Sequence, residues 1–253
     1  MEKFLFLDLD DTVFQTRRKC SSLDQASPAA YNVSGEPNSY YLPKQKTLLA
    51  LLHEQWRIIP TTARTQAAYA RVNLSVPCRD GVILNHGATI LDAKGQQDLQ
   101  WQAYLAPKLA AIQNDFAQLK QVIEQYAAQS HLDLLVRIIH EAGIDFYVEV
   151  RHRQAIHAEL HAVLAQCVRP LLQEFTAFQA YLNHNSLTLL PQCLNKSHAV
   201  DYRLSALRQQ YGEILTMGMG DSLSDAPFMA QCDYALVPQG AQLHQQLVAC
   251  CHA

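Results

Sequence analysis

The chain has 253 residues, of which 49% are hydrophobic, and its formal net charge is −3 with a pI near 6.4. This length suits one large domain, or a core that carries a substantial insertion, with ample apolar content for a packed interior. The small charge gives no electrostatic reason to expect nucleic acid or an anionic membrane as a partner. Because the sequence enters an apolar segment directly after Met1-Glu2-Lys3, without signal-peptide features or a membrane-spanning run, we expect a cytoplasmic protein without membrane contact.

The seven cysteines are scattered along the chain, and none of them has Cys-x-x-Cys spacing. This pattern argues against both a disulfide framework and a zinc site. We therefore expect free thiols without a catalytic role.

The first predicted element is a short strand that ends in acidic residues. Residues 4–7 are continuously apolar, which is typical of a strand buried inside a parallel sheet. Asp8 and Asp10 follow two positions apart, so in an extended segment both carboxylates point to the same side. Two carboxylates this close repel each other and need a cation between them. Oxygen ligands without a nearby His or Cys cluster favour Mg²⁺.

The next stretch, residues 17–43, is rich in turn-forming residues and has little periodicity, which predicts a long loop or an irregular hairpin. Loops of this length are often lids, so this segment is either a lid over the acidic strand end or a solvated basic turn. A helix over residues 48–56 and a buried strand over residues 57–60 follow. If that strand is a parallel neighbour of the first, it places residues 61–64 at the same sheet edge as Asp8.

In the middle of the chain, the sequence pattern predicts the helices and strands of a second domain. A helix over residues 66–74 precedes a strand and turn over residues 81–92, after which a second domain begins. Within this domain we predict a long helix over residues 101–129, a helix over residues 154–167 and strands over residues 132–139, 144–150, 176–182 and 186–190. Alternation around Phe146, Val148 and Val150 indicates a sheet with one buried face.

The last part of the chain returns to the first domain. Lys196 begins a predicted helix, where a cation is disfavoured unless an anion lies nearby. Residues 214–219 predict a buried strand that ends in Gly220-Asp221, and Asp225 follows four residues later at the start of a helix. One more strand, over residues 234–238, and a short C-terminal helix complete the predicted sheet.

Four of these stretches together resemble the signature of the haloacid dehalogenase-like phosphohydrolase superfamily: Asp-Leu-Asp-Asp-Thr at residues 8–12, Thr-Thr-Ala-Arg at 61–64, Lys196, and Gly-Asp with Asp225. The position of the second domain resembles the large cap of the Cof-like and sucrose-phosphate phosphatase-like branch. The resemblance implies an α/β fold, with a Rossmann-like parallel-sheet core in residues 1–90 and 191–253 and an inserted α+β cap in residues 91–190. The chain departs from the usual pattern at three positions, with Ala63 for Gly, His86 for Asn and Ser224 for Asn.

The resemblance also implies a reaction, the Mg²⁺-dependent hydrolysis of a phosphomonoester through a covalent aspartyl-phosphate. Asp8 would be the nucleophile, and Asp10 would protonate the leaving oxygen and then deprotonate the attacking water. Thr62 and Lys196 would bind the phosphoryl group.

The remaining roles follow from the same resemblance. Asp8 and Asp221 would ligate Mg²⁺ with their carboxylates and Asp10 with its backbone carbonyl, while Asp225 would orient these ligands from the second shell. Arg64 and His86 are candidate substrate contacts. The expected substrate is a small phosphorylated metabolite, by resemblance a sugar phosphate.

We expect substrate choice to reside in the cap, where several polar residues either meet a sugar or face solvent. These residues are Arg137, His140, Tyr147, Glu149, Arg151, His152, His184 and Asn185. Two alternatives to a phosphatase stay open, namely a phosphomutase of the phosphomannomutase type and a non-catalytic binding or regulatory protein. The sequence makes no prediction of the oligomeric state.

Overall fold

The computed structural model describes residues 1–141 and 143–251, and the chain divides into two compact units. The first unit comprises Met1–Asp98 and Lys196–Ala253, and the second unit comprises Leu99–Asn195. The role of the second unit as a cap stays a prediction.

The elements follow one another in three groups. The first unit begins with β1 (Glu2–Leu7), β2 (Gln15–Thr16), β3 (Ser27–Tyr31), β4 (Pro37–Tyr41), α1 (Pro43–Gln55), β5 (Arg57–Pro60), α2 (Gln66–Tyr69), β6 (Val82–Leu84) and β7 (Thr89–Leu91). The second unit contains α3 (Leu99–Ala110), α4 (Gln113–Gln129), β8 (Leu134–Glu141), β9 (Ile144–His152), α5 (His157–Val163), α6 (Arg169–Glu174), β10 (Phe178–Asn183) and β11 (Ser186–Pro191). The chain returns to the first unit with α7 (Lys196–Tyr211), β12 (Ile214–Met219), α8 (Ala226–Met229), β13 (Tyr234–Leu236) and α9 (Gln242–Cys251).

The first unit is built on a parallel sheet with the strand order β13-β12-β1-β5. Strand β1 lies inside this sheet, and its residues Phe4, Leu5, Phe6 and Leu7 are fully buried. A continuous apolar run of this kind is what a strand covered on both faces requires. The predicted α/β class and the parallel pairing of β1 with β5 are both confirmed.

The strand register brings the ends of three strands together. Leu7 pairs with Pro60 of β5 on one side and with Met219 of β12 on the other. The pairing continues one residue further, because the Thr61 amide donates to the Leu7 carbonyl at 2.7 Å and the Asp8 amide donates to the Met219 carbonyl at 2.9 Å. The residues that follow β1, β5 and β12 therefore lie side by side at one edge of the sheet.

One prediction for the first unit is confirmed and one needs correction. Of the two forms predicted for residues 17–43, a loop or an irregular hairpin, the structure has the hairpin: β3 and β4 pair antiparallel with register shifts and form a small sheet with β2. The helix predicted over residues 66–74 ends at Tyr69, because the chain beyond it pairs with β3: the Asn73 amide donates to the Ala29 carbonyl at 2.7 Å, and Ala30 forms a bridge with Val72. Tertiary pairing has overridden the helical periodicity here.

The second unit is an antiparallel sheet with the order β10-β11-β9-β8, packed against helices α3 and α4. Phe146, Val148 and Val150 are buried as predicted, but Tyr147 and Glu149 on the other face of β9 are buried as well, so the prediction of a single buried face is wrong for this strand. The single helix predicted over residues 101–129 is instead α3 and α4, because the backbone at Ile112 leaves the helical region, with φ −118° and ψ 15°.

The helix predicted to end at residue 167 also differs in the structure. A π-helical segment, Leu164–Val168, joins α5 to α6 and carries the helix on to Glu174. Pro170 lies in this continuous helix, directly after the π-helical segment, and has no amide proton to donate to the preceding turn. The seven cysteines are free. Within residues 1–141 and 143–251, no helix combines the length and apolarity needed to cross a membrane.

Candidate functional site

Three aspartates converge at the carboxyl edge of the parallel sheet. Asp8 follows β1, Asp221 follows β12 by one Gly, and Asp225 immediately precedes α8. All three are buried, with exposed fractions of 5%, 2% and 0%. Carboxylate oxygens of the three residues lie within 4.8 Å of one another, which is close enough for a single ion.

Two glycines allow the backbone of β12 and the start of α8 to approach this closely. A Cβ atom on Gly218 would lie 2.7 Å from the Met229 Cα, and a Cβ atom on Gly220 would lie 2.6 Å from the Asp225 Cβ. Both distances are shorter than a carbon contact permits, so no other residue fits without displacing α8 or Asp225.

The Lys196 ammonium joins two of these carboxylates. Its Nζ lies 2.7 Å from Asp8 Oδ1 and 2.5 Å from Asp225 Oδ1, and the side chain is 3% exposed. The sequence raised the question of why a lysine begins α7, and these two ion pairs supply the nearby anions. Burial disfavours the charged ammonium, but the carboxylates of Asp225 and Asp8 outweigh it and raise the pKa of Lys196.

Hydroxyl groups complete the hydrogen bonds of the cluster. Thr12 Oγ1 donates to Asp8 Oδ2 at 2.9 Å and lies 3.5 Å from Asp221 Oδ1. The Ser222 amide and hydroxyl donate to Asp225 Oδ2 at 3.1 and 2.7 Å, and Ser222 Oγ lies 2.8 Å from Ser224 Oγ. Sequence reasoning gave no role to Thr12 or Ser222, although both stand inside the two acidic motifs.

The cluster contains three carboxyl groups and one ammonium, so full ionisation leaves negative charge in excess. Burial raises the pKa of Asp8 to about 7, with a further upward effect from Asp225 that opposes the downward effect of Lys196. Burial and the nearby charges of Asp8 and Asp225 raise the pKa of Asp221 to about 9. Among the described residues, no hydrogen-bond donor contacts the buried Asp221 Oδ2. Closely spaced hard oxygen donors with unbalanced charge are what a divalent cation such as Mg²⁺ requires, so the residues present fit such an ion.

Asp10 lies outside this three-residue cluster and pairs with Arg64 instead. Its Oδ2 and Oδ1 accept hydrogen bonds from Arg64 Nε and Nη2, both at 2.7 Å, in a bidentate ion pair. The sequence placed both residues at the strand edge, but it did not predict that they contact each other.

Thr62 and His86 lie on adjacent backbone segments. Thr62 is 1% exposed, and its Oγ1 accepts the Arg64 amide proton at 3.2 Å. Asn85, His86 and Gly87 form a buried turn with left-handed φ values of 52°, 55° and 100°. The His86 amide donates to the Thr62 carbonyl at 3.3 Å and the Asn85 amide donates to the Arg64 carbonyl at 2.9 Å, so this strained turn braces the Thr62–Arg64 segment.

The polar residues proposed for the cap divide into two groups in the second unit. Glu149 accepts hydrogen bonds from Arg137 and, at 2.8 Å, from Arg151 Nε, with Tyr147 on the same strand face. Burial opposes ionisation of Glu149, but Arg151 and Arg137 outweigh it and lower its pKa. These side chains form one charged patch on the sheet.

The other group is separate from that patch. The buried His152 alternates onto the opposite face of β9, where its Nε2 lies 2.6 Å from Glu159 Oε2, and its backbone pairs with the Asn185 side chain. His184 lies in the turn between β10 and β11, and His140 lies near the end of β8. The structure therefore does not bring all eight residues together.

The chain is similar to known proteins in sequence and in structure. The sequence profile described as sucrose-6F-phosphate phosphohydrolase matches residues 1–248. A search of curated proteins gives no match.

Solved structures share the fold at low sequence identity. A sucrose-phosphatase from Synechocystis sp. PCC6803, in complex with sucrose and phosphate, superposes with a TM-score of 0.54 at 16% identity, covering 100% of this chain and 98% of that chain. The C-terminal domain of a C. albicans trehalose-6-phosphate phosphatase gives 0.55 at 13% identity, covering 90% and 72%. A trehalose-6-phosphate phosphatase related protein gives 0.52 at 17% identity, covering 94% and 88%.

Proposed function

Since the chain belongs to the sucrose-6F-phosphate phosphohydrolase family and is a haloacid dehalogenase-like phosphatase, we propose that it hydrolyses a sugar phosphate with Mg²⁺ through an aspartyl-phosphate on Asp8. The observation that carries this proposal is the buried convergence of Asp8, Lys196, Asp221 and Asp225 at one sheet edge. A surface cluster of acidic residues would not need a buried lysine within hydrogen-bond distance of two of them.

In the first half of the reaction, an Asp8 carboxylate oxygen attacks phosphorus and the bond from phosphorus to the sugar oxygen breaks. Thr12 holds one oxygen of this carboxylate and Lys196 the other, so its orientation is fixed before the substrate arrives. Asp10 gives its proton to the departing sugar oxygen, which leaves as an alcohol.

In the second half, water attacks phosphorus and the bond from phosphorus to Asp8 breaks, which releases inorganic phosphate. Asp10, now ionised, takes the proton from this water and returns to its starting state. Two displacements of this kind replace a single more difficult one.

Charge neutralisation accounts for most of the catalysis of phosphoryl transfer, and two groups would provide it here. Asp8 and Asp221 would hold Mg²⁺ with their carboxylates and Asp10 with its backbone carbonyl, and the bound ion supplies positive charge to the phosphoryl oxygens. Lys196 would donate to the same group of oxygens. Asp225, which accepts from Lys196 and Ser222, would keep the lysine in place.

Thr62 is the proposed hydroxyl donor to a phosphoryl oxygen. Its position two residues after the end of β5 supports this role, because the amide of the intervening Thr61 donates to the carbonyl of Leu7, the residue before the nucleophile. Losing a donor of this kind costs on the order of 10²-fold in rate. We further propose that the second unit is the cap that selects the sugar, with the polar face around Glu149 as the candidate surface for sugar hydroxyls.

The test is a screen of sugar phosphates with and without Mg²⁺, using the wild type, Asp8→Asn and Asp11→Asn. We expect Mg²⁺-dependent release of phosphate from the wild type and a loss on the order of 10⁴-fold or more in Asp8→Asn. Asp11 is paired with Lys19 at 2.6 Å, and its φ of 62° suits Asn, so Asp11→Asn should keep its activity within about threefold.

Other outcomes identify other functions. Transfer of phosphate within a sugar, dependent on a sugar bisphosphate activator, would identify a mutase instead. No turnover of any phosphate ester by the wild type would identify a non-catalytic protein. Full activity in Asp8→Asn would refute the nucleophile assignment.

A further inference from the structure

We propose that Arg64 is the positioning residue of Asp10: its guanidinium holds the acid/base carboxylate in one orientation and does not bind the substrate. This inference rests on the proposed function, because it takes Asp10 as the proton donor and acceptor of the two half-reactions. It replaces the sequence-based expectation that Arg64 contacts the substrate.

The first argument is the geometry of the pair. Asp10 is the exposed partner, with 43% of its side chain accessible, whereas the Arg64 side chain is 15% exposed. An exposed carboxylate turns freely about its side-chain bonds unless something fixes it. The two parallel hydrogen bonds of 2.7 Å fix both the direction and the plane of this carboxylate, which a single contact cannot do.

The second argument is that Arg64 is itself held firmly. Its Nη1 donates to the Ala68 carbonyl at 3.4 Å, and its guanidinium carbon lies 5.4 Å from the centre of the Phe14 ring. Its backbone amide donates to Thr62 Oγ1, and its carbonyl accepts from Asn85. Because both its backbone and its guanidinium are held, Arg64 fixes the position of Asp10 relative to the residues that follow β5.

The hydrogen bonds of the guanidinium also favour Asp10 as its partner. Three of its five N–H groups donate within the protein, from Nε and Nη2 to Asp10 and from Nη1 to Ala68. A phosphate that took the place of Asp10 would break both bonds that hold this carboxylate. The structure therefore assigns Arg64 to Asp10.

A role through Asp10 predicts an effect that depends on the leaving group. A sugar alkoxide is a poor leaving group and needs the Asp10 proton, whereas p-nitrophenolate departs without one. In Arg64→Gln, the single-turnover release of sugar from a sugar phosphate should fall about 10²-fold, while the first-turnover release of p-nitrophenolate falls less than about threefold. Since the later water attack also needs Asp10, p-nitrophenolate should appear as a stoichiometric burst with a slow steady state.

Three variants provide the controls. Arg71→Gln removes an arginine of the same segment that, within residues 1–141 and 143–251, donates to the backbone carbonyls of Tyr31 and Ala67, and it should leave both rates unchanged. Adding Arg64→Gln to Asp10→Asn should cause no further loss, because the two residues act as one unit. Arg64→Lys keeps the positive charge but loses the bidentate geometry. Its single-turnover release of sugar should fall about 10-fold, while its first-turnover release of p-nitrophenolate again changes little. If thermal unfolding shows that Arg64→Gln does not fold, Arg64→Lys carries the test.

The outcomes separate this inference from the proposed function. Equal losses with both substrates, a change confined to KM, an unchanged rate, or an additive loss in the Asp10→Asn background would each overturn it while the wild type remains a phosphatase. A wild type without turnover of either ester would overturn the proposed function and this inference together.

Discussion

The two units of the molecule bury charged groups on their sheets in opposite ways. In the first unit, the three carboxyl groups of Asp8, Asp221 and Asp225 lie close together with one ammonium, that of Lys196, so their full ionisation leaves negative charge in excess. In the second unit, one carboxylate, that of Glu149, lies between two guanidinium groups, so positive charge is in excess.

The difference shows in the direction of the pKa shifts. Burial is the largest influence on the pKa values of Asp8, Asp221 and Glu149, and it acts upward on each of them. The pKa of Asp8 nevertheless rises to about 7 and that of Asp221 to about 9, whereas the pKa of Glu149 falls. The charges of the neighbouring residues therefore decide whether the pKa of a buried carboxylate rises or falls. A buried carboxylate favours a further ligand only where the protein leaves its charge unbalanced, and this imbalance in the first unit supports the proposed Mg²⁺ site there.

The largest effect that tests this contrast is expected from Lys196→Met. This change removes the cation that contacts both Asp8 and Asp225 and leaves buried charge without compensation, which costs about 3–5 kcal/mol. Urea denaturation without Mg²⁺ measures the loss in the free energy of unfolding. The matched change in the second unit, Arg151→Met, should cost less than about 1 kcal/mol, because Arg151 is half exposed and Arg137 still pairs with Glu149. Equal costs for the two variants would contradict the contrast.

A smaller effect is expected from Gly220→Ala, which changes no charge. The new Cβ would lie 2.6 Å from the Asp225 Cβ, so Asp225 must move away from Lys196 at a cost of about 1–3 kcal/mol. We expect both a lower unfolding temperature and reduced phosphatase activity. Gly95→Ala serves as the control, because no atom lies within 4 Å of the added carbon there; its positive φ of 77°, which Gly220 does not share, limits any loss at Gly95 to backbone strain away from the site. If Gly220→Ala and Gly95→Ala lose the same stability and neither loses activity, close packing at Gly220 does not matter to the site.

The smallest effect is expected from Glu149→Gln in the second unit. Because the folded pKa of Glu149 lies below its ordinary value of 4.5, its ionised form stabilises the protein above that pH, and this contribution disappears as the pH falls through the folded pKa. At neutral pH the variant should be less stable by about 1 kcal/mol, since both arginines are half exposed. The unfolding temperatures of variant and wild type, measured from neutral to acidic pH, should converge at low pH. A difference that stays constant across this range would show that the ion pairs do not produce it.

The sequence predicts the parts of the site that depend on strand ends. Asp8, Asp221 and Lys196 could be placed because a buried strand or a helix start fixes where each backbone lies. The contacts of long side chains could not be predicted in this way, and so the pairing of Arg64 with Asp10 was missed. Whether Thr62 binds phosphate stays a prediction.

The same distinction applies to the fold. The continuous apolar run of β1 and the alternation in β9 each gave the correct element, because one chain segment contains the whole pattern. The helix that ends at Tyr69 and the break between α3 and α4 depend on contacts or backbone angles that periodicity does not encode. Short-range patterns therefore predicted the elements, and tertiary contacts determined some of their ends.

The central claim is that the carboxylate cluster of the first unit is incomplete without a divalent cation, and Mg²⁺ binding tests it most directly. The measurement is the unfolding temperature of the wild type and of Asp221→Asn, without metal and at saturating Mg²⁺, which needs no substrate. We predict that Mg²⁺ raises the unfolding temperature of the wild type by about 5 °C and leaves that of Asp221→Asn nearly unchanged. No shift in the wild type, or an equal shift in both proteins, would contradict the claim.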